Sequence, residues 1–389
     1  VLTLYSILAA ALPVWYLLQP RDYINAYLLW AFVVLAVIGA LLTFNYGFTG
    51  PIYTSFVAPG VLIGALPGTA AGSANISYFW PTVPLTIACG ALSGFHSVVG
   101  SGTTSKQLSN ELDALLVGYG GMLTEGAVSS LAVITPIAHA WDFAALASMT
   151  GLPVADALLK AGINATATPF ITKLDAVSRF AVGYGLEQAV AWSRIFGSGV
   201  FVSAFLGFKT FAAWALAAFV LTTLDTSNRL GRFAWREFFD WLKPRSELAY
   251  KVLTNRWVAS AIAVLLGAVM AYPKIPNPLD PTKTIYAYQV VWPAFAGTNQ
   301  LLAALALLTA ALWTYAIQKV RGGISLLIMI PALFLWVTVT VALIWWLYAV
   351  VPSLPPLYLI GAGTIVAISV VLDFLLIGLF IAGLRRARS

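Results

Sequence analysis

The stretch Cys89-Gly90-Ala91-Leu92-Ser93-Gly94-Phe95-His96-Ser97 continues through Gly100-Ser101-Gly102-Thr103-Thr104-Ser105-Lys106-Gln107, and sets polar side chains inside an apolar run. Ser93, His96 and Ser97 stand at i, i+3 and i+4, so a helix presents them on one face. A neutral imidazole beside hydroxyls can take up a proton near neutral pH or hydrogen-bond a carboxylate. The same residues would equally make a satisfied hydrogen-bond cluster between helices. The Gly-Ser-Gly-Thr-Thr-Ser-Lys run lacks the glycine that a phosphate loop carries directly before its lysine, and it follows an apolar helix rather than a strand. The hydroxyls of Ser101, Thr103 and Thr104 instead suit Na⁺ or an unwound helix end.

Three further places carry polar chemistry. Glu125, in Gly118-Tyr119-Gly120-Gly121-Met122-Leu123-Thr124-Glu125-Gly126, is an acid within an apolar span; it reads either as a proton carrier or as a hydrogen-bonded packing lock, and Asp373 is a weaker case of the same kind. Pro13, in Leu12-Pro13-Val14-Trp15, breaks a helix and frees carbonyls, a device by which transporters bind substrate at the bilayer midplane. Arg21-Asp22 after it reads as an interfacial ion pair. Asp225 and Arg229 are four apart and can pair on one helical face. Trp292-Pro293 followed by Asn299 and Gln300 puts another break and two amides into a span, and those amides need buried partners.

What positions these groups is a set of membrane helices. Hydrophobic residues make up 60% of the 389 and charged residues 9%, with a mean hydropathy of +0.89. Soluble domains carry about a quarter charged residues, so the chain reads as an all-α integral membrane protein. Apolar runs at 1–18, 24–45, 80–100, 114–138, 198–224, 255–273, 289–317, 324–350 and 357–384 predict about nine spans in a single transmembrane domain. The segment 225–254 is a basic loop holding Arg229, Arg232, Arg236, Lys243, Arg245 and Lys251, and is assigned to the cytoplasm. Counting from it puts the start of the chain outside, the Arg385–Arg388 tail inside, and loops 46–79 and 139–197 outside. The second of these carries an amphipathic or re-entrant helix around 173–196. Asn75-Ile76-Ser77 and Asn164-Ala165-Thr166 match the glycosylation triplet on those loops.

The net charge of +7 follows from the basic membrane-flanking loops, so no nucleic-acid partner is inferred. One cysteine, Cys89, excludes a disulfide or a Cys-based metal site within the chain. No cofactor or catalytic pair is evident, and no enzyme activity is expected. The lipid bilayer is the one partner that composition itself implies.

The motifs LPVWYLLQPRDY (12–23), CGALSGFHSVVGSGTTSKQ (89–107), GYGGMLTEG (118–126), LTTLDTSNRLGR (221–232) and VWPAFAGTNQLLAALAL (291–307) closely resemble the carbon starvation protein A family, in order and in similar spacing. That resemblance implies a secondary transporter of the cell membrane importing a small carboxylate such as pyruvate, or a peptide. It implies coupling to H⁺, with Na⁺ as the alternative ion. It also implies a LeuT-like inverted-repeat fold, of which this chain would form the second half plus extra C-terminal helices. Family chains hold earlier spans, so the chain is expected to lack an N-terminal half, supplied by missing residues or a companion polypeptide. Substrate or ion contacts are then expected from Pro13, Trp15, Ser93, His96, Ser97, Ser101, Thr103, Thr104, Glu125 and Asn299. Gating or structural roles are expected from Arg21, Asp22, Lys106, Asp225 and Arg229. The alternative is a non-transporting or proton-conducting membrane subunit of a larger complex.

The loop assignment is directly testable. A cysteine placed at Ser353 should be labelled by an impermeant maleimide from outside and one at Ser246 should not; the reverse pattern would invert the topology.

Overall fold

The computed structural model describes residues 2–47, 49, 56–57, 76–77, 80, 92–163, 176–277, 280–320, 322–349, 351–353 and 356–388. Most of the 46–79 loop, both glycosylation triplets and Cys89 lie wholly or partly outside these residues. The described chain is almost entirely helical, with two short antiparallel hairpins, β1 (Phe56–Val57) with β2 (Ile76–Ser77) and β3 (Lys274–Asn277) with β4 (Asp280–Tyr286).

The helices are α1 (Leu2–Ala11), α2 (Val14–Thr43), α3 (Gly94–Gly102), α4 (Gly121–His139), α5 (Phe143–Thr150), α6 (Val154–Lys160), α7 (Ala176–Phe196) and α8 (Phe201–Phe238). They continue with α9 (Glu247–Leu253), α10 (Arg256–Ala271), α11 (Ala287–Ala316), α12 (Gly323–Ala349) and α13 (Pro356–Arg388). Among the described residues six helices are long and apolar enough to cross a membrane, or seven if α9 and α10, bent by 58°, form one span.

This corrects the expectation of nine. The runs 1–18 and 24–45 are not two spans joined at Gln19–Tyr23. The break falls earlier, at Pro13, so α1 has only 10 residues and α2 continues for 30 through Pro20, Arg21 and Asp22. The run 80–100 yields only the nine-residue α3 among described residues. Before α4, residues Leu115–Gly120 form a π-helical turn, a widening that Gly118 and Gly120 ease.

The chain divides into two compact units. The first comprises residues 1–54 and 127–269, and is built around α7, which packs on α8 and α2 while α1 packs on α8. Every residue from Phe180 to Ala191 is buried. A helix hidden on all sides is a core element, so α7 differs from the amphipathic helix its charge spacing suggests. Small residues permit this. A Cβ on Gly183 would lie 2.8 Å from Pro136 Cα, and one on Gly185 would lie 2.9 Å from Lys209 Cβ. Phe32 of α2 stacks on Tyr184 at 4.6 Å between ring centroids.

The second unit comprises residues 55–126 and 270–389. Here α11 is central and packs against α12, α13 and α3. Its core joins Ala303, Ala304, Val339, Leu343 and Val366. Asp373 is fully buried and accepts a hydrogen bond from the Thr340 hydroxyl, itself bonded back to Trp336 O.

Close approach of α7 to α4 predicts a sharp asymmetry between glycines. Gly183→Ala meets backbone and should destabilise the solubilised protein by about 1–3 kcal/mol, seen as a lower Tm. Gly207→Ala meets nothing within 4 Å and should leave Tm unchanged or slightly raised.

Candidate functional site

In the first unit the polar residues converge where α1 ends. Pro13 has no N–H, so the Ala9 carbonyl loses its helical donor, and the Leu12 carbonyl lies at an open helix end. Arg229 Nη2 donates to both, at 2.8 Å to Ala9 O and 2.7 Å to Leu12 O. A guanidinium at a helix C-terminus also meets the negative end of the helix dipole. One turn earlier, Asn228 Nδ2 donates to Ser6 O at 3.1 Å and Ser6 Oγ at 3.2 Å. The carbonyls freed by the break are therefore held by side chains of α8.

Asp225 does not pair with Arg229, as the i, i+4 spacing suggested. It accepts from Arg21 of α2, whose two terminal nitrogens bond both Asp225 oxygens, one of them at 3.2 Å. Arg21 also reaches Tyr5 Oη at 2.7 Å and the expected neighbour Asp22 at 2.9 Å. Asp225 is fully buried, and a buried carboxylate needs this pairing. The outcome is a lock between α1, α2 and α8. Trp15, just after the break, is 69% exposed.

In the second unit Ser93 and Asn299 meet. Ser93 caps α3 by accepting from Phe95 N at 3.2 Å, and the Asn299 amide of α11 serves the same end: its Oδ1 accepts from Phe95 N at 2.8 Å and its Nδ2 donates to Ser93 Oγ at 3.0 Å. Gly94 makes this possible, since a Cβ there would lie 2.0 Å from Asn299 O. The Ser97 hydroxyl turns back to Gly94 O at 2.7 Å. Ser93 and Ser97 therefore serve the local helix and leave His96 to face elsewhere.

His96 Nε2 lies 3.2 Å from Glu125 Oε2, with both side chains half-exposed. Two residues chosen separately from sequence thus form one pair. It joins an acid to a base that, once protonated, can present its other ring N–H to an anion.

Ser101 Oγ turns back to Val98 O at 3.4 Å, Thr103 Oγ1 is buried without a hydrogen-bond partner among the described residues, Thr104 opens a short turn to Lys106, and Lys106 is exposed. Among the described residues no group of three His, Cys, Asp or Glu side chains is placed to hold a metal ion.

Sequence reasoning passed over Thr135, Glu187 and Gln188. Glu187 and Gln188 are 1% and 0% exposed, and Thr135 Oγ1 donates to Glu187 Oε2 at 2.7 Å. The signal was present, because Gly183-Tyr184-Gly185-Leu186-Glu187-Gln188 sets an acid and an amide among small and apolar residues. It was outweighed by the charges on either side of it.

Such a bundle, with long apolar helices and buried charge networks, defines a multi-pass α-helical membrane protein. A family model described as "Carbon starvation protein CstA" matches residues 1–342. The chain belongs to that family. It is 31% identical over 354 residues to the peptide transporter CstA of Bacillus subtilis (strain 168), covering 88% of this chain and 53% of that one. It is 29% identical over 334 residues to the peptide transporter CstA of Escherichia coli K12, covering 82% of this chain and 45% of the relative. It is 29% identical over 376 residues to the pyruvate/proton symporter BtsT of Escherichia coli K12, covering 87% and 48%. The chain thus spans about half the length of these curated relatives. No solved structure matches it significantly.

The α1 lock predicts a specific energetic signature. Arg229→Met leaves two buried carbonyls without donors and should cost about 2–4 kcal/mol, whereas Arg229→Lys, a point donor in place of a fork, should cost less. Equal Tm for all three proteins would show that the carbonyls do not depend on Arg229.

Proposed function

We propose that this chain forms part of a secondary transporter of the cell membrane that imports a small carboxylate of the pyruvate type or a short peptide. The observation that carries the reading is its membership of a family whose matched relatives bear the names of peptide transporter and pyruvate/proton symporter. Each candidate substrate contains a carboxylate. In the His96–Glu125 pair, the carboxylate of Glu125 accepts from one ring nitrogen, and a protonated His96 can donate its other ring N–H to a substrate carboxylate. Ser93 and Asn299 fix the helix that carries His96 and act on substrate only through that placement.

The coupling ion in this reading is H⁺ rather than Na⁺. The support is the printed name of the symporter relative and the titratable pair. The break at Pro13, with Trp15 exposed beside it, fits the broken helix that a LeuT-like repeat would use, and the lock of Arg21, Asp225 and Arg229 fits a gate that holds one conformation. Differential binding of proton and substrate to two conformations would then drive alternating access. The reading also keeps the Arg385–Arg388 tail in the cytoplasm, because the spans counted onward from segment 225–254 are unchanged.

The test is uptake of radiolabelled pyruvate and of radiolabelled alanyl-alanine by the full-length protein in liposomes, with a pH gradient, a Na⁺ gradient or neither. Accumulation of one solute driven by the pH gradient is expected. His96→Gln, which keeps one donor but cannot titrate, should weaken apparent affinity by about tenfold, the scale of one charge-assisted bond. Unchanged affinity would remove His96 from the substrate site, and failure of both solutes to accumulate would overturn the transport reading.

A further inference from the structure

A deeply enclosed ionisable cluster lies in the first unit and is unused by the site described so far. Glu187 of α7 is 1% exposed, yet among the described residues no cationic side chain forms an ion pair with it. Its contacts are those of a held carboxyl. Thr135 Oγ1 of α4 bonds Oε2 at 2.7 Å, and Gln188 Nε2 approaches Oε1 at 3.4 Å while bonding Leu35 O of α2 at 2.8 Å. Gln188 Oε1 is buried with no hydrogen-bond partner among the described residues. A Cβ on Gly39 would lie 2.3 Å from Gln188 Nε2 and 2.5 Å from Glu187 Oε1, so α2 closes over both groups at van der Waals contact.

Among the described residues the titratable neighbours are few. On α7 itself Tyr184 lies one turn away and donates to Phe32 O, and Arg179 and Arg194 lie two turns away on either side. On α4 His139 is one turn beyond Thr135 and 4% exposed. On α8 the stem of Lys209 lies against Gly185. The stretch of α2 facing the cluster, Phe32 to Gly39, has no titratable side chain. On α6, Asp156 and Lys160 are exposed and point away from the core.

We propose that Glu187, enclosed by Thr135, Gln188 and Gly39, is where the coupling proton binds; the proposal rests on the proton-coupled reading above. An unpaired carboxylate in such a core costs several kcal/mol. The packing of α2, α4 and α7 seen here therefore accommodates the neutral acid, one proton taken from water onto a carboxylate oxygen. Releasing that proton leaves a charge that needs water, and water reaches it only if α7 parts from α2 or α4. Proton occupancy and helix packing are thereby the two halves of one equilibrium, which is the coupling a symporter requires.

The experiment compares wild type, Glu187→Gln and Glu187→Asp as full-length proteins in liposomes. For a one-to-one symporter, wild type should accumulate pyruvate or alanyl-alanine about tenfold per pH unit of gradient. Glu187→Gln, which keeps the hydrogen bonds, should only equilibrate the solute while still exchanging labelled for unlabelled solute, and that exchange shows that it is folded. Glu187→Asp should recover part of the gradient dependence with a shifted pH profile. Undiminished pH-driven accumulation by Glu187→Gln overturns the proposal, as does accumulation that follows a Na⁺ gradient instead. A second readout needs no transport: the infrared difference between wild type and Glu187→Gln at neutral pH should contain the absorption of one protonated carboxyl. Its absence from that difference overturns the site. Wild type that moves neither solute overturns the transport reading instead, and the infrared comparison still shows whether Glu187 holds a proton.

Discussion

The first unit depends on one constraint: no backbone carbonyl or charge can be left alone in hydrocarbon. Pro13 removes a donor inside an apolar segment, and Arg229 supplies the replacement by forking to Ala9 O and Leu12 O. That guanidinium is accommodated by those carbonyls, while the next buried charge, Asp225, is claimed by Arg21 and Tyr5 closes the network. Break, cap and ion pair form one arrangement spread over α1, α2 and α8.

The Arg229 cap occupies the freed carbonyls. While Arg229 holds them they are not available to a substrate or ion, and withdrawing Arg229 would expose them together with the end of the helix dipole. Buried polar contacts of this kind are poor sources of net stability and good specifiers of a single arrangement. The Asn299 cap on α3 is the counterpart in the second unit: it fixes the helix carrying His96 without itself presenting a free group.

The polar candidate residues were largely legible from residue types because membrane composition makes such residues conspicuous. His96, Glu125, Asn299, Arg21 and Arg229 stand out against apolar neighbours, and the structure places each in a specific polar contact. Partnerships were less legible. Asp225 and Arg229 share a helix face, but the geometry gives each a closer partner on another helix. Span boundaries failed where local charge looked like a loop: Arg21 and Asp22 sit within α2 because Asp225, 204 residues away, satisfies Arg21. Glu187 was hidden for the converse reason, since flanking charges made a core helix look amphipathic. Tertiary pairing, which no local window contains, decided each of these cases.

Proton coupling can be approached from the opposite direction to solute uptake. In liposomes loaded with a pH-sensitive dye and holding no initial ion gradient, adding external pyruvate or alanyl-alanine should acidify the lumen at a rate that scales with the amount of reconstituted protein. Labelled solute entering at that rate with the lumenal pH unchanged, beyond what protein-free liposomes show, would contradict proton symport.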